Sequence, residues 1–303
     1  MDEKKVDVSK IKILVCCHKP CELPKDDIFL PIQVGAAISD LDLGIQRDDQ
    51  VNGETCDNIS AKNKSYCELT AMYWAWKNIK KLYPDLEYIG LNHYRRYFSF
   101  SRRNLFDDAI IRPENSVSTY KIDTKKLTGI LTNYNAIISS RRTYSYNLDT
   151  DYCVGHMSED LRILKRIVHK CSPEYDMDML SVLTCNNRLA HYNMTVIGWK
   201  EFDSYCTWLF QILFECERTI DISHYSPVQK RIWGYMAERL FNVWIHHKRL
   251  GVKYLNVLKY SNEKKQNPFF ALRHFFKVRF EWMCMRPKNI KHIINHYKEK
   301  YWS

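Results

Sequence analysis

The 303-residue chain is 45% hydrophobic and 27% charged, with nine Gly and nine Pro, a balance that builds a globular core and excludes a low-complexity or disordered chain. The net charge is +11, yet residues 246–303 carry 14 basic and 3 acidic side chains, so the remainder is neutral. With no nucleic-acid motif in that neutral part, nucleic acid is not expected as a partner.

No apolar stretch precedes Ile11, and no window holds ~18 consecutive apolar residues, which argues against a signal peptide and a spanning helix. Eleven scattered Cys, an odd number, fit a reducing compartment without a disulfide framework. Cys17-His18-Lys19-Pro20-Cys21 lacks the second close ligand pair that a structural zinc site needs.

Residues 1–10 are expected to be a flexible N-terminus. Ile11 to Cys17 is an apolar run of strand formers, the first strand of a parallel sheet, ending in His18-Lys19-Pro20. Residues 20–65 are polar and predict a long irregular loop. Within it, Asp40-Leu41-Asp42 is either a site for Mn²⁺ or Mg²⁺ or a turn. Ser65-Tyr66-Cys67-Glu68 has the form of a capping box, opening a helix with Leu69, Met72, Tyr73 and Trp76 on one face that stops near Tyr83-Pro84.

Leu86 to Leu91 predicts a strand that runs straight into Asn92-His93-Tyr94-Arg95-Arg96-Tyr97-Phe98. Ala136 to Ile138 predicts another strand, and 159–170 a helix capped by Ser158. Tyr192 to Gly198 predicts a strand carrying Asn193, which either bonds a sugar hydroxyl or caps the strand edge. Lys200 to Arg218 is a helix with Phe202, Tyr205, Leu209, Ile212 and Cys216 along one side. Ser226-Pro227-Val228-Gln229 opens a last long helix reaching about His247.

The alternation of strands and helices predicts an α/β fold with a mostly parallel sheet flanked by helices. Residues 11–247 form the expected catalytic domain, and 248–303 a basic, amphipathic, helical C-terminal tail. In the tail, Phe269, Leu272, Phe276, Phe280 and Met283 share one face, with Arg273, Lys277 and Arg279 nearby and Tyr297, Tyr301 and Trp302 further on. That face either lies on an anionic membrane surface or packs on the main domain.

Ligands of open α/β sheets bind beyond the carboxyl ends of the strands. His18 and Lys19 after the first strand, and His93, Arg95 and Arg96 after the later one, place cations there; a diphosphate suits them, the alternative being a basic surface turn. No Walker or G-x-G-x-x-G loop is present. In the 231–240 stretch, Glu238 is either a general base for an acceptor hydroxyl or half of an ion pair with Arg239 or Arg231. His156 and His191 are lone histidines of the kind that usually serve structure.

Taken in order, Ile13 to Pro20, Leu30 to Gly35, Asp57 to Ser60, Cys67 to Asn78, Tyr88 to Phe98, Tyr192 to Met194 and the Arg231 to Trp244 helix resemble a bacterial family of capsular-polysaccharide, exopolysaccharide and O-antigen gene clusters. That family is long listed as a domain of unknown function and treated as glycosyltransferases. The Asp48 to Cys56 segment departs from the family's shorter Gly-Asp-Asp stretch.

The resemblance implies a GT-A-like, Rossmann-related fold and transfer from a nucleotide-diphosphate sugar to a lipid-linked or glycan acceptor. The donor-binding candidates are His18, Lys19, Asp57, Asn58, His93, Arg95, Arg96, Asn193, Arg231 and Arg239, with Glu238 and His93 as catalytic candidates. No cofactor is firmly implied; Asp40 and Asp42 are the candidate ligands of a divalent cation. The expected location is cytoplasmic, peripheral to the inner face of the plasma membrane. The alternative is a non-catalytic binder of polysaccharide or anionic lipid.

Overall fold

In the computed structural model, which describes residues 6–101, 109–263 and 267–285, a 3-10 turn (Val8–Lys10) capped by Asp7 leads into β1 (Ile11–Cys17). The end of the expected flexible segment is therefore ordered. Every residue of β1 except Lys12 is buried, as a strand covered on both faces requires.

The segment predicted as irregular contains β2 (Phe29–Gln33), β3 (Gln46–Arg47) and the small ladder β4 (Gln50–Val51) and β5 (Glu54–Thr55). Pro31 disguised β2, because proline cannot donate within a ladder. The Ile28 carbonyl and the Val34 amide both bond to β1, so alternation turns Pro31 the other way. On that side β3 pairs with Ile32 and Gln33 alone. Buried Asp48 closes the next turn by accepting the amides of Gly35 (2.8 Å) and Ala36 (3.1 Å) and the Ser60 hydroxyl.

The capping box is not formed. Ser65 lies inside a one-turn helix, α1 (Asn63–Tyr66), and bonds back to the Lys62 carbonyl. Cys67, at φ 52°, breaks the chain before α2 (Leu69–Leu82), and Glu68 is left to other uses. α2 ends where predicted, at Tyr83 before Pro84. β6 (Tyr88–His93) starts two residues later than expected, and β7 (Arg96–Phe98) turns back from it.

β8 (Ala109–Arg112), α3 (Thr124–Asn133) and β9 (Ala136–Ser139) follow. Next come β10 (Arg141–Thr143), α4 (Leu148–Gly155), α5 (Ser158–Cys171), α6 (Asp176–Thr184) and β11 (Arg188–Ala190). Ser158 is the first residue of α5 and not its cap, which is Met157. β12 (Thr195–Gly198) is shorter than predicted, because Tyr192 and Asn193 adopt positive φ (72° and 51°) and form a turn. α7 (Trp199–Thr219) matches its prediction. A 3-10 turn (Gln229–Arg231) precedes α8 (Ile232–His247), with the Ser226 hydroxyl accepting the Gln229 amide.

Beyond the expected boundary at 247 the chain does not become a tail. β13 (Val252–Leu255) and β14 (Val257–Tyr260) are strands of the main sheet, and helix returns at α9 (Pro268–Met285). Tyr297, Tyr301 and Trp302 lie outside the described residues.

Two compact units result. The first comprises 1–140, 191–206 and 250–265 and holds the sheet, in the order β13-β9-β12-β6-β1-β2-β3, with β7, β14 and β8 branching from β6. β1, β2, β3 and β6 are parallel, as are β9 and β13; β12 runs antiparallel to both its neighbours. The core takes Ile13, Val15, Val196 and Ile137 from the strands and Leu127 and Leu131 from α3.

Gly90 is required at the centre of this sheet. A Cβ there would lie 2.9 Å from the Thr195 carbonyl oxygen and 2.9 Å from Val196 Cγ2. Since backbone cannot step aside, Gly90→Ala is expected to cost about 1–3 kcal/mol of stability, read as a lower denaturant midpoint.

The second unit comprises 141–190, 207–249 and 266–303. It contains the β10–β11 ladder and a helical cluster held by buried ion pairs, Arg239 with Asp151 and Lys165 with Asp149.

Candidate functional site

β1 and β6 pair in parallel with Cys16 opposite His93, so their following loops emerge side by side. The Tyr94 amide bonds the Cys16 carbonyl (3.1 Å) and fixes the second loop against the first. Tyr94 then organises the cations: His18 meets its ring edge-on at 5.2 Å, and Lys19 Nζ and Arg95 Cζ each lie 5.5 Å from its centroid.

Tyr192 is a second such ring. Arg96 Cζ stands 4.6 Å from its centroid, and His93 Nε2 lies 2.8 Å from its carbonyl oxygen. A carbonyl only accepts, so Nε2 carries the proton and donates. The cations that the sequence places in one run therefore divide over two aromatic supports. Neither Tyr94 nor Tyr192 was among the sequence candidates, although the aromatic residues interleaved with Arg in Tyr94-Arg95-Arg96 were a usable signal.

The Nε atoms of Arg95 and Arg96 are buried and have no hydrogen-bond partner among the described residues. A buried donor left unpaired is costly, and such orphans collect at ligand sites. Arg95 borders a cleft of about 440 Å³ with Lys19, Glu22, Tyr94, Asn115 and Asn262, a volume that accepts a small-molecule ligand. Glu22 is engaged by the Ser118 hydroxyl (2.9 Å). Cys21, also on the cleft, has its thiol pKa lowered by its contact with Cys17, whose own is raised by the same contact and by burial.

Asn193 sits in the left-handed turn, buried, with its amide nitrogen donating to Glu68 Oε1 (2.8 Å). Its Oδ1, both amide atoms of Asn92 and the Thr195 hydroxyl are buried without a partner among the described residues. Glu68 was hidden in the sequence by its capping-box spacing.

Other candidates are placed differently. Asp57 accepts the hydroxyl of Tyr73 on α2 (3.1 Å), and Asn58 bridges the Cys56 carbonyl and the Ser60 amide, local contacts within the turn before α1. Asp40 and Asp42 are exposed, and Asp42 accepts the Gly44 amide, an Asx turn. Among the described residues no group of three or more His, Cys, Asp or Glu side chains converges as metal ligands.

Arg231, Glu238 and Arg239 belong to the second unit. Arg239 is buried between Asp151 (2.8 Å) and Glu238 (3.4 Å), and exposed Arg231 lies over the Tyr235 ring at 5.7 Å. His156 stacks on Tyr235 at 4.1 Å; burial and then Arg239 hold its pKa below the ordinary value. The His191 carbonyl accepts the Ser139 hydroxyl.

The family described as a domain of unknown function, DUF4422, matches residues 12–249, from β1 to the end of α8. The chain belongs to this family. No curated protein matches the chain. Among solved structures, the family member is similar to the apo structure of the WbbM bifunctional glycosyltransferase, at 30% identity and a TM-score of 0.70 over 85% of this chain and 47% of that one. The chain thus spans about half the length of that protein. The shared architecture is α/β and GT-A-like, with a mostly parallel sheet flanked by helices. No described helix is long and apolar enough to cross a membrane.

Proposed function

We propose that the chain is a glycosyltransferase that moves a sugar from a nucleotide-diphosphate donor to a lipid-linked or glycan acceptor in surface-polysaccharide synthesis. The observation that carries this reading is the pair of buried, unpartnered guanidinium Nε atoms of Arg95 and Arg96, held by tyrosine rings beyond the carboxyl ends of parallel strands. In the reaction an acceptor hydroxyl attacks the anomeric carbon, the bond to the diphosphate oxygen breaks, and negative charge grows on the leaving group. Fixed cations stabilise that charge without reorganising. His18 and Lys19 extend the same positive edge.

The acceptor proton needs a base. Glu68 suits this role, because it belongs to the same unit as the cations and is oriented by the Asn193 amide. Glu238, the carboxylate favoured by sequence, is engaged by Arg239.

In this reading the cations of the chain do the work often given to a divalent ion. Transfer is expected to persist in excess chelator; complete loss that Mn²⁺ or Mg²⁺ restores would move the role to Asp40 and Asp42. Calorimetry with a panel of nucleoside diphosphates tests the reading directly, and binding that Arg95→Ala abolishes is the expected result.

The second reading, a non-catalytic binder of polysaccharide or anionic lipid, draws on the aromatic face of α9, exposed at Phe269, Phe276 and Phe280. It gains ground only if no nucleotide binds. Within the transferase reading the same face suits association with the inner, anionic surface of the plasma membrane.

A further inference from the structure

The cleft beside Arg95 is basic on one part of its lining only. Lys19 and Arg95 stand on the Tyr94 ring, and the same cleft is lined by Glu22 and Asn115. Glu22 is tied to a 3-10 helix (Glu114–Thr119), where Ser118 donates to its Oε2 from the hydroxyl (2.9 Å) and from the amide (3.4 Å). The same helix carries Asn115. Glu22 is exposed and makes no ion pair with a described residue, so its Oε1 is open to solvent or to a ligand.

That carboxylate repels a diphosphate lying against it. Hydroxyl groups suit it, because an ionised carboxylate only accepts hydrogen bonds and takes short, strong ones from O–H donors. The Asn115 amide beside it both donates and accepts. The chemistry that fits Glu22 and Asn115 next to Lys19 and Arg95 is a vicinal diol joined to a diphosphate.

A nucleotide sugar carries hydroxyls at both ends, and the order of the side chains separates them. Glu68, the base in the transferase reading, accepts the Asn193 amide (2.8 Å) in the turn that begins at Tyr192. The Tyr192 ring faces Arg96, the Tyr94 ring faces Arg95 and Lys19, and those two line the cleft with Glu22. The series runs from the base, through the cations, to Glu22. With the transferred sugar at the Glu68 end and the diphosphate on the cations, the hydroxyls that reach Glu22 belong to the ribose of the nucleoside.

We propose that Glu22, oriented by Ser118 and flanked by Asn115, accepts the ribose hydroxyls of the donor and makes the enzyme selective for ribonucleotide sugars over deoxyribonucleotide sugars. The inference rests on the transferase reading and adds to it the direction in which the donor lies and the kind of nucleoside it carries.

The test is calorimetry of the full chain with matched probes: UDP, GDP and CDP, each beside its 2′-deoxy analogue. For the base that binds, the ribonucleotide should bind about 10–100-fold more tightly than the deoxy form, the worth of one hydrogen bond to a charged group. Glu22→Ala should bring the two within about threefold of each other. Glu22→Gln keeps the size and loses the charge; it should also shrink the preference, and it serves if the alanine variant does not fold. Ser118→Ala leaves the carboxylate in place but untethered, and should reduce the preference in part. A wild type that binds both forms equally, or a preference that survives Glu22→Ala, overturns the ribose assignment and leaves diphosphate binding in place. A Glu22→Ala variant that binds UDP normally and weakens only UDP-glucose puts Glu22 at the transferred sugar, which also overturns it. Failure of every diphosphate to bind overturns the transferase reading itself, and this inference with it.

Discussion

Arg95→Ala is expected to lower kcat/KM for sugar transfer about 10²–10³-fold while the protein stays folded. The guanidinium is half-buried at the cleft, and its Nε answers no group among the described residues, so its loss strands no internal carboxylate. Stability should change little, because the side chain's described contact is to the Tyr94 ring, worth about 0.5–1 kcal/mol at a partly exposed site. Arg96→Ala should behave alike, through Tyr192. Initial rates and nucleoside diphosphate affinity, measured beside thermal unfolding, check this. A variant with normal turnover would remove Arg95 from the reaction, and one that unfolds would make it structural. Tyr94→Phe keeps the ring and should be nearly silent, whereas Tyr94→Leu should follow Arg95→Ala.

Arg239→Ala is expected to act in the opposite way, destabilising the protein by about 3–5 kcal/mol. Its side chain is 4% exposed and answers Asp151, Glu238 and the Tyr235 carbonyl. Truncation leaves a carboxylate that is 14% exposed without its counter-charge. A urea midpoint well below that of the wild type is the expected reading, and Asp151→Asn added to Arg239→Ala should recover part of the loss. Unchanged stability with lost nucleotide binding would instead return Arg239 to the donor-site role that its sequence position suggests.

These two arginines show where sequence reasoning works and where it stops. Both stand in dense polar-aromatic runs. Arg95 follows a strand, and the rule that parallel strands deliver ligands at their carboxyl ends makes it a candidate from sequence alone; the structure has it bordering a cleft at that strand end. Arg239 lies on a helix, where a heptad pattern does not say which neighbouring segment supplies its partner; Asp151 is 88 residues away. Glu68 fails for a related reason. Serine three residues before glutamate is a cap in one backbone geometry and not in another, and the positive φ of Cys67 decided the matter.

By itself the sequence determined the α/β alternation, the two cation-bearing strand ends and the amphipathic ridge of α9, because each is written within a few consecutive residues by a period of 2 or 3.6 or by a strand stop. Tertiary structure alone decided that Pro31 sits in a strand, that β13 and β14 complete the sheet, that Asn193 meets Glu68, and that Glu22 shares a cleft with Arg95. Those pairings join residues tens to more than a hundred positions apart. Burial and strand register set them, and neither is encoded in any short stretch of chain.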